Sequence, residues 1–267
     1  MQYTNEISSA AAFTPNPRQD AIVEAVKQQG ATTIEALALR FQVTLQTVRR
    51  DVQRLAEAGL LARFHGGVRI PVSTTENVTY MRRQAMQAGG KQRIARAVAA
   101  RIPNGCSVML NIGTTTEAIA QELLGHKGLR VITNNLNVAA TLSANEDCEV
   151  IVAGGVVRSV DRGITGEATV DFMRQFKVDI GLIGISGIEE DGTLRDFDFR
   201  EVKVAKAIIA SARQVWLCAD STKFSRPAMV ELASFDALDV VFTDMTPPPL
   251  FSDLMTSANV ECVVASE

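Results

Sequence analysis

Two sets of residues in this chain have the types and spacing to do chemistry. The first is Gln46, Thr47, Arg49, Arg50, Gln53 and Arg54, which share one face of a helix-forming stretch. Glutamine pairs with adenine, arginine pairs bidentately with guanine, and arginine or threonine holds phosphate, so this face suits duplex DNA. Thr44, just before it, can cap the helix. Arg63 and His65 follow on a short stretch that turns through Phe64-His65-Gly66-Gly67, with Arg69 just beyond, placed to reach a DNA backbone or minor groove. A solvated basic helix face has the same composition, so the reading depends on which helix carries it.

The second set lies at the ends of apolar runs. Gly113-Thr114-Thr115-Thr116 stands between such a run and a helical pattern. A small loop there offers backbone N–H groups, hydroxyls and a positive dipole end, which together cradle a phosphate. A plain capped turn uses the same residues. Four further loops extend the set: Thr133-Asn134-Asn135, Ala153-Gly154-Gly155, Gly184-Ile185-Ser186-Gly187 and Asp220-Ser221-Thr222-Lys223. Asn111, Gly113, Thr114, Thr115, Thr116, Asn134, Asn135, Gly154, Gly155, Ser186 and Lys223 are the expected effector-binding residues. They combine glycines for close approach, amides and hydroxyls for recognition, and one cation. That chemistry fits a small phosphorylated polyol or sugar. Glu167 and Glu201 lie nearby, and carboxylates can move protons, so an isomerase-like enzyme is the alternative.

Other reactive residues are sparse. His65 and His126 are the only histidines, and Cys106, Cys148, Cys218 and Cys262 form no C-x-x-C pair. A metal site, a Ser-His-Asp triad and a disulfide framework are therefore unsupported. The expectation is a regulator rather than an enzyme, with no cofactor and no metal.

These residues need elements to position them. Asn16-Pro17-Arg18-Gln19 reads as a helix start, and Gln19 can close a capping box. Thr32-x-x-Glu35 starts a second helix, with Ile34, Leu37, Ala38 and Phe41 at helical spacing. The connector Gln42-Val43-Thr44 is very short, and Leu45, Val48, Val52 and Leu55 form the stripe of a third helix. Short β runs at 60–63 and 68–70 follow. Three helices and a hairpin make a winged helix-turn-helix over residues 15–71, and the basic face falls on its third helix. Residues 72–90 are polar and read as a linker, with Tyr80, Met81, Arg82 and Arg83 able to dock on a domain.

From 91 to 267 the pattern alternates helix and strand. Strands are expected at 107–112, 129–133, 148–153, 179–185, 214–219, 239–243 and 260–264. Near-continuous apolar runs imply a parallel sheet covered by helices on both faces, with ligands beyond the strand C-termini. The fold class is thus α/β, a winged helix-turn-helix followed by a parallel-sheet effector domain.

Charge supports two parts with different partners. The chain of 267 residues has a formal net charge of −3, yet residues 1–104 sum to +7 and residues 105–267 to −10. Apolar runs fall short of the roughly 18 residues a bilayer span needs. The first residues lack the basic start and apolar stretch of a secretory signal. A cytoplasmic protein without membrane contact is expected.

The motifs together resemble a known family. Val43-Thr44-x-x-Thr47-Val48-Arg49-Arg50-Asp51, then Arg63-x-His65-Gly66-Gly67, is similar to the DNA-binding signature of the DeoR family of bacterial repressors. Gly113-Thr114-Thr115, Thr133-Asn134-Asn135 and Asp220-Ser221-Thr222-Lys223-Phe224 are similar to that family's effector domain. The resemblance implies repression of a catabolic operon, with release from operator double-stranded DNA when a sugar or polyol phosphate binds. It implies an effector domain similar to ribose-5-phosphate isomerase, and a homo-oligomer, dimer or tetramer. Within the family, Val131 to Ala139 and Gly163 to Thr169 point to sn-glycerol 3-phosphate as the effector, in a glycerol-metabolism setting. Family members commonly carry Asp where this chain has Asn111, so the resemblance implies an uncharged group at that place.

Overall fold

The computed structural model describes residues 13, 15–29, 31–64, 67–71, 74 and 77–265. It divides into two units, Met1–Val72 and Ser73–Glu267.

In the first unit, α1 (Pro17–Gln29) begins at a reciprocal cap. The Asn16 backbone N–H donates to Gln19 Oε1 (3.0 Å), and the Gln19 N–H donates to Asn16 Oδ1 (2.9 Å). Next come β1 (Ala31–Thr33) and α2 (Ile34–Phe41). The cap of α2 is Thr33, which accepts from the Ala36 N–H at 3.1 Å. Thr32, expected to cap, is instead buried in β1 opposite Val68. Gln42, in the left-handed region at φ 51°, stops α2, and α3 (Leu45–Glu57) starts after Val43 and Thr44. Strands β2 (Ala62–Phe64) and β3 (Gly67–Arg69) complete a three-stranded antiparallel sheet in the order β1-β3-β2. Ile22, Val26, Leu37, Val48, Val52, Leu55, Leu61 and Val68 form one core. The amphipathic stripe of each helix supplies it, as helical spacing requires.

In the second unit, α4 (Tyr80–Ala85) and α5 (Ala88–Arg101) come first. The stretch expected as a linker therefore contains α4 and the first turn of α5. There follow β4 (Ser107–Leu110), α6 (Thr114–Glu122), β5 (Leu129–Thr133), α7 (Leu136–Leu142) and β6 (Cys148–Val152). A hairpin of β7 (Val156–Val157) and β8 (Ile164–Thr165) leads to α8 (Glu167–Met173) and β9 (Val178–Ile183). Then come β10 (Gly187–Ile188), β11 (Leu194–Asp196), α9 (Phe199–Ser211), β12 (Ala212–Cys218) and β13 (Val230–Ala233). The chain closes with β14 (Val240–Thr243), α10 (Pro249–Ser257) and β15 (Glu261–Val264).

Seven of these strands form a parallel sheet in the order β15-β14-β12-β9-β4-β5-β6. They fall on the seven apolar runs. Side chains alternate across the sheet, as a pleat requires. Val108, Leu110, Leu182, Trp216 and Phe242 face α5, α6 and α7. Met109, Ile183, Leu217 and Val241 face α8, α9 and α10. From β4 the chain winds one way, through β5 to β6. From β9 it winds the other way, through β12 and β14 to β15. The order therefore reverses between β4 and β9, which opens a crevice beyond their C-terminal ends. A small antiparallel sheet, β10-β11-β13, was absent from the expected elements because its strands are only two to four residues long.

The unit boundary redistributes the charge. Residues 1–72 carry eight basic and six acidic side chains, a net of +2. Residues 73–104, on α4 and α5, carry six basic and one acidic, a net of +5.

Candidate functional site

The basic face sits on α3, whose other side is fixed to the core. Thr44 caps it, accepting from the Thr47 N–H (3.2 Å) and pairing hydroxyl to hydroxyl with Thr47 (2.9 Å). Both threonines thus use their hydroxyls to start the helix. Val48, Val52 and Leu55 pack inward. Asp51 is also buried, accepting from Arg18 Nε (2.7 Å) and Gln19 Nε2 (3.0 Å) of α1. Gln46, Arg49, Arg50, Gln53 and Arg54 are exposed. Arg63, on β2, donates to Gln53, and Gln53 donates to Glu57 at 2.7 Å. The strand is thereby tied to the exposed side of α3. His65 lies outside the described residues.

The second site is the crevice at the β4/β9 reversal. Its walls include Asn111, Gly113, Thr114 and Thr115 after β4, Gly184 and Ser186 after β9, and Lys223 after β12. Asn111 is 5% exposed, and its Oδ1 has no hydrogen-bond partner. An orphaned acceptor in a crevice wall is costly unless a ligand hydroxyl or N–H meets it. The first turn of α6 presents its N-terminal end to the same space, through Thr114 and Thr115. Ser186 donates its hydroxyl to Asp196 Oδ1 at 2.9 Å.

Electrostatics in the crevice are set by burial. Burial pushes the Lys223 ammonium below its ordinary range, and Asp220, 3.9 Å away, acts against that. Burial raises Asp220, but Lys223 and the Thr222 hydroxyl outweigh it and hold the carboxyl below the usual range. Glu201 lines the crevice and is pushed up to about 7, by burial first and then by the charge of Asp196, despite its ion pair with Arg158.

Five of the expected residues do not line this crevice. The Thr116 hydroxyl lies 2.8 Å from the carbonyls of both Asn111 and Gly113, bracing the loop from within. Asn134 is fully buried and donates to the Ile164 carbonyl at 3.0 Å. Asn135 caps α7, accepting from the Asn137 N–H at 2.9 Å. The Gly154 carbonyl accepts from the Thr169 hydroxyl at 2.8 Å. At Gly155 a Cβ would come within 2.2 Å of that same hydroxyl, so the glycine permits packing. For the four that follow β5 and β6 the reason is strand order. Strands β5 and β6 lie one and two places beyond β4, on the side away from β9, each step about 4.8 Å. Glu167 is exposed and paired with Lys203 at 2.5 Å, so it is not a crevice carboxylate.

Arg83, Asp196 and Glu201 line the crevice in their place. Arg83 was legible as a residue able to dock on a domain, but nothing in its spacing pointed to the crevice. Asp196 gave no signal, because it stands on a three-residue strand.

Family comparisons match both units. Residues 18–74 match the DeoR-like helix-turn-helix domain, and residues 86–245 match the DeoR C terminal sensor domain. The chain is 48% identical over 244 residues to the glycerol-3-phosphate regulon repressor of Escherichia coli (strain K12), covering 91% of this chain and 96% of that one. It is 46% identical over 230 residues to the repressor of the same name from Haemophilus influenzae (strain ATCC 51907 / DSM 11121 / KW20 / Rd), covering 86% and 89%. Ribose 5 phosphate isomerase A from Neisseria gonorrhoeae is a structural neighbour at TM-score 0.37 and 11% identity, over 50% of this chain and 52% of that one. No described helix is long and apolar enough to cross a membrane. With a reader unit, a sensor unit and these relatives along nearly its whole length, the chain belongs to the DeoR family and is a transcriptional repressor.

Proposed function

We propose that the chain represses a catabolic operon of glycerol metabolism and leaves its operator when sn-glycerol 3-phosphate binds the crevice. The observation that carries the ligand class is Lys223, half-buried in the crevice wall that it shares with the first turn of α6 and with Asn111, whose Oδ1 has no partner. A cation and a helix N-terminus serve a phosphate, and an unpaired amide acceptor serves a polyol hydroxyl. The particular ligand is supported by the relatives' names, since other sugar phosphates offer the same groups.

The exposed residues of α3 would contact DNA, with Arg49 and Arg50 on base edges or phosphates. One recognition helix reads one half-site, so a dimer or tetramer is the form that would grip an operator. Such a protein works where the chromosome is, in the cytoplasm. Induction follows from linkage. The ligand must favour arrangements of the paired readers that fit the operator poorly, and operator must weaken ligand binding by the same factor.

The test is fluorescence anisotropy of the full-length protein on operator DNA selected from a random pool, at fixed salt. Saturating sn-glycerol 3-phosphate should release the DNA, while glycerol should not. Operator affinity unchanged by sn-glycerol 3-phosphate refutes this effector, and release by another sugar phosphate reassigns it.

A further inference from the structure

The segment from Asn77 to Met86 places no fully buried residue in the core, yet it is fastened to the sensor unit by polar bonds. Asn77 donates to the Ser186 hydroxyl (3.4 Å) and accepts from Arg226 (3.0 Å). The Tyr80 hydroxyl donates to Glu117 on α6 (2.7 Å) and accepts from Asn137 (3.2 Å). Buried Lys91 donates to the backbone carbonyls of Arg83 and Met86. These bonds lay α4 along α6 and bring Arg83 into the wall of the crevice.

Arg83 is not satisfied there. Its Nε is buried and has no hydrogen-bond partner. Its guanidinium approaches Asp161 only to 3.8 Å, beyond the ~2.7–2.9 Å of a charge-assisted bond. Lys223, in the same wall, stands 3.9 Å from Asp220. The neighbouring carboxylates are engaged elsewhere. Asp161 and Glu201 are held by Arg158, and Asp196 accepts from Ser186 and from the Phe197 N–H. Arg83 and Lys223 are like charges sharing one crevice, and the charge of Arg83 works against the ionisation of Lys223. A dianion between them converts that repulsion into two attractions and supplies the acceptor that Arg83 lacks.

We infer that Arg83 is a second anion-binding cation of the effector site. The ligand's phosphate bridges Arg83 on α4 and Lys223 after β12, so the site is complete only when residues 77–86 lie on the sensor unit. This rests on the sugar-phosphate reading of the crevice. It adds that half of the phosphate site is supplied by the stretch of chain that leads in from the reader.

The test is calorimetric titration of the full-length protein with sn-glycerol 3-phosphate and with inorganic phosphate, alongside hydrogen exchange of residues 80–86. Arg83→Gln should weaken both ligands by about tenfold or more, as expected for loss of a charged hydrogen bond. Arg83→Lys should recover part of the loss. Ligand should slow exchange at 80–86 in the wild type and fail to do so in Arg83→Gln. Circular dichroism checks that the variants fold, and Arg83→Lys carries the test if Arg83→Gln does not. Wild-type affinity in Arg83→Gln, or in Arg83→Lys where only that variant folds, together with loss in Lys223→Gln, overturns this inference alone. So does ligand binding that leaves exchange at 80–86 unchanged. No binding of either ligand by the wild type overturns the sugar-phosphate reading and this inference together.

Discussion

Asp51 closes the run Arg49-Arg50-Asp51, and a carboxylate beside DNA-facing arginines would repel phosphate if it faced outward. It faces inward, where its two oxygens tie α3 to Arg18 and Gln19 of α1. Asp51→Ala removes both acceptors. Gln19 is 2% exposed, so its Nε2 is left buried and unpaired, at a cost of about 1–3 kcal/mol. The same Gln19 side chain caps α1 through Asn16, so it does not turn outward without losing that bond as well. Arg18 has water as an alternative partner and adds little. A unit of this size has a total stability of about 3–8 kcal/mol, so a loss near 2 kcal/mol is a large fraction. It corresponds to a fall of roughly 10 °C in the reader's melting temperature. Differential scanning calorimetry of the full-length protein measures the shift. Operator anisotropy at 20 °C and at 42 °C measures its consequence. The expected result is a temperature-sensitive repressor, nearly normal in the cold and weak when warm, with effector affinity retained. Asp51→Asn, which keeps an acceptor for Gln19, should be milder. Operator affinity that falls equally at both temperatures with an unchanged melting point would make Asp51 a DNA contact and refute the reasoning.

Arg49→Ala with Arg50→Ala should abolish operator binding while leaving effector titrations unchanged; tight sequence-specific binding by the double variant would displace α3 as the reading helix. Lys223→Ala should weaken sn-glycerol 3-phosphate by about tenfold to a hundredfold, the range for a lost charged hydrogen bond, and unchanged affinity would place Lys223 outside the site. Glu201 is held near 7 by burial and Asp196, and an anionic ligand prefers it protonated, so effector affinity should rise as pH falls from 8 to 6, and Glu201→Gln should flatten the profile. The same raised value gives a stability contribution that is present below the ordinary glutamate range and lost as pH rises through about 7, which urea titrations of wild type and Glu201→Gln compare. Gly187→Ala would place a Cβ 2.1 Å from the Arg226 carbonyl oxygen, a backbone clash that should cost about 3 kcal/mol or more and appear as a lower melting temperature of the sensor unit.

Most of the architecture was legible because it is local. The three reader helices announce themselves through caps and stripes, and Asn16, Gln19 and Thr44 cap as their spacing predicts. The seven core strands are apolar enough to stand out one by one. Strand order is a long-range property, and periodicity is silent about it. That is why Asn134, Asn135, Gly154 and Gly155 looked equivalent to Asn111 and Thr114 in the sequence, although only the latter pair borders the β4/β9 reversal. Arg83 was read as a docking residue of the linker, and its place in the crevice wall escaped notice for the opposite reason. Segment 77–86 is held by hydrogen bonds rather than by an apolar stripe, and a pattern search for buried faces passes over it. β1 was hidden because Thr32 reads as a helix cap in the sequence, whereas pairing with β3 draws it into a strand and leaves the cap to Thr33.

The modest charge of the reader has a consequence for how the repressor finds its target. Hold on arbitrary DNA grows with the number of phosphates a protein neutralises. A reader with a net of +2 exerts a weak long-range pull on DNA, while the basic surplus of α4 and α5 belongs to the sensor unit, where Arg83 lines the crevice. Few copies of such a protein would be detained on the rest of the chromosome. A small cellular pool would then suffice to keep an operator occupied, with discrimination resting on the proposed reading face of α3 rather than on bulk attraction.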